Sequence, residues 1–181
     1  MSLSPIAAFA RAHDPDRFLA ALFAPPEKRE AIFTLIAFNH ELARAREAAS
    51  HPMAALIRLQ WWRDVVAEPR ARAHEVAGPL HALLGQTAGL AELLDRVVEA
   101  RRRDIARDPF ATSSEFDAYI EYTSAALMWA AALALGADPA AETAFRALGW
   151  AAGLASYFRA VPVLTARTLQ PLHDPDPKAL R

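Results

Sequence analysis

Two residues of this 181-residue sequence carry polar or charged groups within segments that are otherwise apolar and helical in pattern. Arg159 lies in one such segment, where a buried guanidinium needs an anionic partner. The N–H donors of the planar guanidinium can form two parallel hydrogen bonds to the oxygens of a carboxylate or a phosphate. His40 lies on the apolar side of another segment. The pattern therefore indicates either an anion-binding site or internal contacts, with Arg159 in a salt bridge and His40 hydrogen-bonded beside the core.

Several common enzyme classes have no motif in this sequence. It contains no Walker loop, no glycine-rich dinucleotide turn, no His-Glu-x-x-His and no Gly-x-Ser-x-Gly. The six histidines never occur four residues apart, the spacing that two zinc ligands on one helix face would need. The absence of cysteine excludes disulfides, iron–sulfur clusters, thiolate metal sites and a cysteine nucleophile. We therefore expect no metal and no other cofactor.

Charge and hydropathy indicate a soluble globular protein. Lys and Arg number 20 and Asp and Glu number 21, so the net charge of −1 offers no general attraction to nucleic acid. The amino terminus has no signal-peptide pattern. The longest uncharged apolar run, residues 125–137, is shorter than the roughly 20 residues that a membrane span needs. We expect a cytoplasmic protein without a transmembrane segment, able to contact a membrane only peripherally.

The elements that would position Arg159 and His40 are predicted to be helices throughout. Alanine is the commonest residue, glycine occurs only six times, and the 13 prolines fall mostly between helical patterns. The sequence predicts an all-α domain over residues 1–166 and a disordered tail over 167–181. The predicted helices cover about 5–12, 15–23, 26–49, 55–66, 90–105, 113–136 and 139–162, with a weak pattern at 69–89.

Residue types at the predicted helix ends support these boundaries. Ser113 or Ser114 is predicted to cap one helix, and Gly136 is predicted to end it. Pro162 is predicted to kink or end the last helix. On the polar side of the helix over 90–105, Glu and Arg recur four residues apart. The run Arg101-Arg102-Arg103 is accordingly interpreted as ordinary surface.

Two motif stretches carry more specific information. Residues 33–47 read Phe-Thr-Leu-Ile-Ala-Phe-Asn-His-Glu-Leu-Ala-Arg-Ala-Arg-Glu and are followed by Leu-Gln-Trp-Trp-Arg-Asp at 59–64. Residues 153–162 have the pattern Gly-x-x-x-x-x-Arg-Ala-x-Pro. In these stretches the chain resembles the squalene/phytoene synthase family, all-α enzymes that join two prenyl diphosphates head to head. The resemblance covers about residues 16–171, places Tyr119 at a recurring tyrosine of the family, and implies an isoprenoid-synthase-like helical bundle with a shortened carboxyl end.

The resemblance also implies where the family's metal ligands would lie. Each of two facing family helices carries an Asp-x-x-x-Asp motif, whose carboxylates hold Mg²⁺ against a diphosphate. In this sequence the motifs fall on Ala43 and Glu47 and on Ala160 and Leu164. Three of the four ligands are therefore replaced, which argues against metal-assisted ionisation of a diphosphate. Arg159, which precedes the second motif, is retained.

With these replacements, the chain is similar to a branch of the family that contains a mitochondrial complex I assembly factor and its bacterial relatives. The resemblance then implies a non-catalytic pseudoenzyme that acts in respiratory complex assembly or holds a prenyl-lipid-like ligand, with a protein or a second copy as partner. In an alternative, the chain is a prenyl diphosphate transferase with Mg²⁺, or binds a prenyl diphosphate without metal through arginines. In a third interpretation, the helical bundle has an unrelated function.

The candidate site is a set of ligand-binding residues, and no residue is assigned a catalytic or metal-binding role. Each candidate also has a purely structural alternative. Arg44 and Arg46 can be solvated charges at a helix end, with Glu47 as their surface partner, and Trp61 can be a core or interface anchor. The candidates are Asn39, His40, Arg44, Arg46, Glu47, Trp61, Arg63 and Arg159.

Overall fold

The computed structural model describes residues 3–68, 70, 72–106 and 108–166. Across these ranges the chain forms helices and no strand, which confirms the predicted all-α fold class. The tail predicted at 167–181 lies outside the described residues. The helices are α1 (Pro5–His13), α2 (Pro15–Ala21), α3 (Arg29–Ala43), α4 (Pro52–Ala67), α5 (Ala77–Gln86), α6 (Leu90–Ala100), α7 (Arg103–Ala106), α8 (Ser113–Ile120), α9 (Ala126–Leu135) and α10 (Glu142–Ala166).

Short irregular helical turns connect several of these helices. Turns of 3-10 helix at Pro26–Lys28 and Pro139–Ala141 lead into α3 and α10, and a π-helical turn at Glu121–Ala125 joins α8 to α9. Ser4 and Asp14 cap α1 and α2 with their side chains. Thr112, rather than either of the predicted serines that follow it, caps α8. Gly136 ends α9 with a φ of +90°, as its residue type predicted.

Several helices differ from their predicted bounds, and the helix predicted over 90–105 is interrupted by a turn at residues 101–102, between α6 and α7. α3 ends at Ala43 and residues 44–48 form turns, whereas the sequence pattern extended this helix to residue 49. Within that turn segment Ala45 is the buried residue, so little apolar surface is available to hold a further helical turn. α5 forms although its glycines weakened the pattern, because side chains such as Leu80 are fully buried. Tertiary burial therefore outweighs local helix propensity here.

The core is built around α3, which packs against α1, α5 and α9. Eight of its fifteen residues are buried. Phe38 of α3 is fully buried and meets Trp62 of α4 edge to face, with ring centroids 5.4 Å apart. Burying one such side chain contributes about 1.5–3 kcal/mol. Large apolar side chains therefore hold α3 in place.

α10 is attached to the π-helical turn and α9 by two glycines. Of its 25 residues only Gly149 and Gly153 are buried. A Cβ atom at Gly149 would lie 2.5 Å from Met128 Cβ and 2.8 Å from Ala125 Cα. Ser124 Oγ donates a hydrogen bond of 2.8 Å to the Gly149 carbonyl oxygen. The missing side chains thus allow the helices to approach closely.

The outer side of α10 is apolar and exposed, with Leu148, Phe158 and Val163 each about half exposed or more. The helix continues past Pro162 to Ala166 and does not end there. By length and composition, the helical stretches Ser113–Leu135 and Pro139–Ala166 could each cross a membrane. Within an apolar 18-residue window of each stretch, 44% and 11% of the residues are buried, so the second is mostly uncovered. The predicted absence of a transmembrane segment stays a prediction.

Candidate functional site

A cavity of about 570 Å³ lies between α2, α3, α9, α10 and the π-helical turn. This is the size range of small-molecule sites in proteins. Asn39, Thr123 and Ser124 supply polar groups to its wall, and Arg17 is the one charged residue among those described that line it. The larger apolar lining residues are Phe23, Ile32, Leu35, Ile36, Leu127, Met128 and Leu135.

The π-helical turn brings two hydroxyl groups to this cavity. Thr123 Oγ1 donates a hydrogen bond of 2.6 Å to the Tyr119 carbonyl oxygen, and Ser124 Oγ donates to Gly149 as described above. Because both hydroxyl hydrogens are used within the protein, these groups retain only acceptor capacity toward a ligand. Single π-helical turns occur frequently at functional sites.

A partly buried hydrogen-bond network around Arg101 supports the polar wall of the cavity. Arg101 Nη2 donates to Asn39 Oδ1 at 2.9 Å, and Arg101 Nη1 lies 3.3 Å from Asp104 Oδ2. The Tyr119 hydroxyl donates to Asp104 Oδ1 at 2.7 Å. Burial, reinforced by Asp104, raises the pKa of Tyr119 well above its usual range. Tyr119 is therefore a protonated donor at neutral pH.

The interpretation of Arg101-Arg102-Arg103 as ordinary surface is wrong for Arg101, and Arg103 is partly covered. The Arg101 side chain is 13% exposed, and the Arg103 guanidinium carbon lies 4.1 Å from the centroid of the Phe110 ring. Arg102 alone of the three is exposed. A signal was present, because Arg101 occurs four residues before Ile105 and so belongs to the apolar side of the helical pattern.

His40 connects α3 to α1 and is not one of the cavity-lining residues. Its ring lies 4.3 Å from the His13 ring and 5.6 Å from the Phe9 ring, centroid to centroid. His13 Nδ1 is 3.0 Å from the Phe9 carbonyl oxygen. Burial lowers the pKa of His40, and neighbouring His13 lowers it further. The structure therefore places His40 in a contact between two helices.

Arg44, Arg46 and Glu47 lie in the turns that follow α3, outside the cavity lining. Arg44 Nη1 is 3.3 Å from Glu41 Oε1. Arg46 Nε is buried and has no hydrogen-bond partner among the described residues. Glu47 is exposed. Because α3 ends at Ala43, positions 43 and 47 do not share one helix face.

Arg63 is held by two carboxylates. Its Nε and Nη2 atoms donate to the two carboxylate oxygens of Asp95 at 2.7 and 2.9 Å, and its Nη1 donates to Glu99 at 2.9 Å. The hydrogen bond to Asp95 raises the pKa of Arg63. All three donor groups of this guanidinium thus have partners within the protein.

Trp61 packs in an aromatic cluster at the end of α4. Its ring centroid is 4.8 Å from that of Trp62 and 5.2 Å from that of His74, and the Arg72 guanidinium carbon is 5.6 Å from it. Trp61 is half-buried and is not among the residues that line the cavity. These contacts fit the alternative in which Trp61 is a core or interface anchor.

Arg159 is exposed on α10, so the expectation of a buried guanidinium is wrong. Its Nη2 donates to Ser156 Oγ at 3.2 Å. Its apolar sequence neighbours predicted a buried helix, but α10 is buried only at its two glycines. Of the eight candidates, Asn39 alone lines the cavity. In the part of the chain that the structure describes, no three His, Asp or Glu residues form a group that could hold a metal ion.

Comparisons with known proteins point to one family. The squalene/phytoene synthase family model matches residues 10–170. The chain is 28% identical over 156 residues to the Homo sapiens protein named NADH dehydrogenase (ubiquinone) complex I, assembly factor 6, covering 84% of this chain and 47% of that protein. It is 32% identical over 161 residues to the Drosophila melanogaster homolog, covering 83% and 48%. The chain thus spans about half the length of the curated relatives it matches. No solved structure matches it significantly.

Proposed function

Because this chain belongs to the squalene/phytoene synthase family, we propose that it is a non-catalytic member of that family that assists the assembly of respiratory complex I. In this proposal the cavity holds a prenyl-lipid-like ligand and no cofactor is needed. The protein acts in the cytoplasm, in peripheral contact with a membrane. The observation that carries the proposal is the similarity, over more than four fifths of the chain, to proteins named as complex I assembly factors.

The residues at the positions of the family's acidic motifs support a non-catalytic role. Ala43, Ala160 and Leu164 have no carboxylate, and Glu47 lies in a turn beyond the end of α3. One carboxylate is a poor substitute for the cluster of hard oxygen ligands that Mg²⁺ needs to bind a diphosphate. A lipid-holding role is supported by the predominantly apolar lining of the 570 Å³ cavity.

The exposed apolar side of α10 supports contact with a subunit or assembly intermediate of complex I. Leu148, Phe158 and Val163 are 58%, 49% and 55% exposed on one helix. Exposed apolar patches of this kind often mark protein interaction sites.

Complementation in the organism that encodes this chain tests the assembly role. Deletion of its gene should lower the amount of assembled complex I on native gels, and the wild-type gene should restore it. A chain carrying both Leu148→Glu and Val163→Glu should fail to restore it. Ile57→Glu, at a similarly exposed position of α4 (64% exposed), is the matched control and should restore it.

Unchanged amounts of complex I after deletion would contradict the proposal. A second experiment is sedimentation of the purified chain. If the chain sediments as a dimer and Leu148→Glu dissociates that dimer, the α10 surface binds a second copy of the chain instead.

A prenyl diphosphate, bound with or without turnover, is the second candidate. The specific observation in its favour is Arg46, whose Nε atom is buried without a hydrogen-bond partner among the described residues. Incubation with farnesyl diphosphate and Mg²⁺ should release no inorganic diphosphate if the chain is non-catalytic. Release that depends on Mg²⁺ would establish the transferase alternative instead.

A further inference from the structure

The orientation of the Asn39 side chain defines what the polar wall of the cavity can bind. Arg101 Nη2 lies 2.9 Å from the Asn39 carboxamide, and a guanidinium has donors only, so the atom that faces it must be Oδ1. Arg101 is itself held by Asp104 and Tyr119. The amide therefore cannot turn over without losing this bond. Its Nδ2 group, with two hydrogens, therefore faces away from Arg101.

Two donor groups at or near this wall, Asn39 Nδ2 and Arg101 Nε, lack an acceptor. Asn39 Nδ2 has no hydrogen-bond partner within the described ranges of the chain, although Asn39 lines the cavity. Arg101 Nε is buried and also has no partner there. Of the two, Asn39 belongs to the cavity lining, so a ligand that hydrogen-bonds to its Nδ2 group supplies an acceptor.

The same wall has no uncompensated positive charge with which to bind a diphosphate. The charge of Arg101 is balanced by Asp104, with which it forms an ion pair. Arg17, the charged residue of the cavity lining, is paired with Asp14 at 2.8 Å. Transfer of an anionic head into this cavity without a counter-charge would be strongly unfavourable.

Building on the proposed lipid-holding function, we propose that the cavity binds a lipid with an apolar tail and a neutral carbonyl-type head, whose oxygen accepts a hydrogen bond from Asn39 Nδ2. The tail lies against the apolar side chains Ile32, Ile36, Leu127 and Met128. This ligand class differs from the anionic diphosphates that the family's enzymes use.

Asn39→Asp is the decisive substitution. One carboxylate oxygen keeps the bond to Arg101, so the network and the melting temperature are preserved, while the second oxygen replaces the Nδ2 donor with an acceptor. Gln86→Glu, at an exposed position of α5, is the matched control because it makes the same chemical change outside the cavity.

The probes are 2-tridecanone, 2-tridecanol and tridecane, which share one carbon chain. Their affinities are measured by displacement of the neutral fluorophore N-phenyl-1-naphthylamine. Wild type and Gln86→Glu should bind the ketone more tightly than tridecane. Asn39→Asp should bind the ketone about tenfold more weakly than wild type does, because the lost donor is replaced by a repelling acceptor. The alcohol can donate to the new carboxylate, so its affinity should change by less than about threefold.

Ala131→Trp, which fills the cavity, separates failure of this inference from failure of the proposed function. If no probe binds to wild type, or if Ala131→Trp leaves binding unchanged, the lipid-holding function itself fails. The probes can also bind in the cavity while Asn39→Asp weakens the binding of the ketone and the alcohol equally, or of neither. In that case only the assignment of a carbonyl-type head fails. Farnesyl diphosphate binding more tightly than 2-tridecanone in the presence of a chelator would also overturn that assignment.

Discussion

α3 contains most of the motif at residues 33–47 and α10 contains the motif at 153–162, yet the two helices are held in the protein in opposite ways. α3 has eight of fifteen residues buried, including large aromatic and aliphatic side chains, and is surrounded by other helices. α10 has two of 25 residues buried, and both are glycines. The side chains of α3 are therefore committed to packing, whereas those of α10 are available to a partner. Similar apolar content in two helices thus corresponds to two different roles.

The largest expected effect tests whether α3 is stabilised by its buried side chains. Phe38→Ala should lower the free energy of unfolding by about 3–5 kcal/mol, because it removes a fully buried ring and leaves a cavity. Phe23→Ala makes the same chemical change at a residue that is 93% exposed and should alter stability by less than about 0.5 kcal/mol. Urea denaturation measures both. If the two variants unfold at the same urea concentration, buried side chains do not stabilise α3, and the contrast between α3 and α10 fails.

An intermediate effect tests the glycine contact of α10. A Cβ at Gly153 would overlap Ser124 Cβ, so Gly153→Ala should lower stability by about 1–3 kcal/mol and expose α10 to proteolysis. Gly85→Ala is the control, since a Cβ there meets no atom within 4 Å and the change should be neutral or stabilise α5 by up to about 1 kcal/mol. If Gly153→Ala is as stable as wild type, α10 is not held by this close approach.

The smallest effect concerns the histidine contact between α3 and α1. The lowered pKa of His40 means that the unfolded chain takes up the proton more readily, so stability should be complete above the ordinary pKa of 6.5 and decrease as the pH falls below it. The charged or titratable neighbours that act on His40 are His13, Asp14, Glu41 and Arg44. His40→Gln should reduce this decrease, as measured by melting temperature between pH 7.5 and 5. The exposed His51→Gln should keep the wild-type pH profile, and an unchanged profile in His40→Gln would show that this contact does not titrate.

Sequence reasoning succeeded where local chemistry decides the structure and failed where distant contacts decide it. The end of α9 at Gly136 follows from the positive φ that glycine tolerates. The hydrogen bond between Arg101 and Asn39 joins residues 62 positions apart, and no local pattern reveals that contact. The exposure of Arg159 depends on how few elements pack against α10. Asn39 was among the predicted site residues, but its orienting partner was not.

The π-helical turn between α8 and α9 changes the phase of one continuous helical segment. A π turn accommodates one residue more than an α-helical turn, which corresponds to a rotation of about 100°. Tyr119, before the turn, can therefore face Arg101 and Asp104, while Trp129, after it, is buried in the apolar core. A single-residue deletion within Glu121–Ala125 would restore α-helical phase and turn one of these two residues away from its neighbours. The segment thus gives one helix two independent faces, one polar and one apolar, without a break in its course.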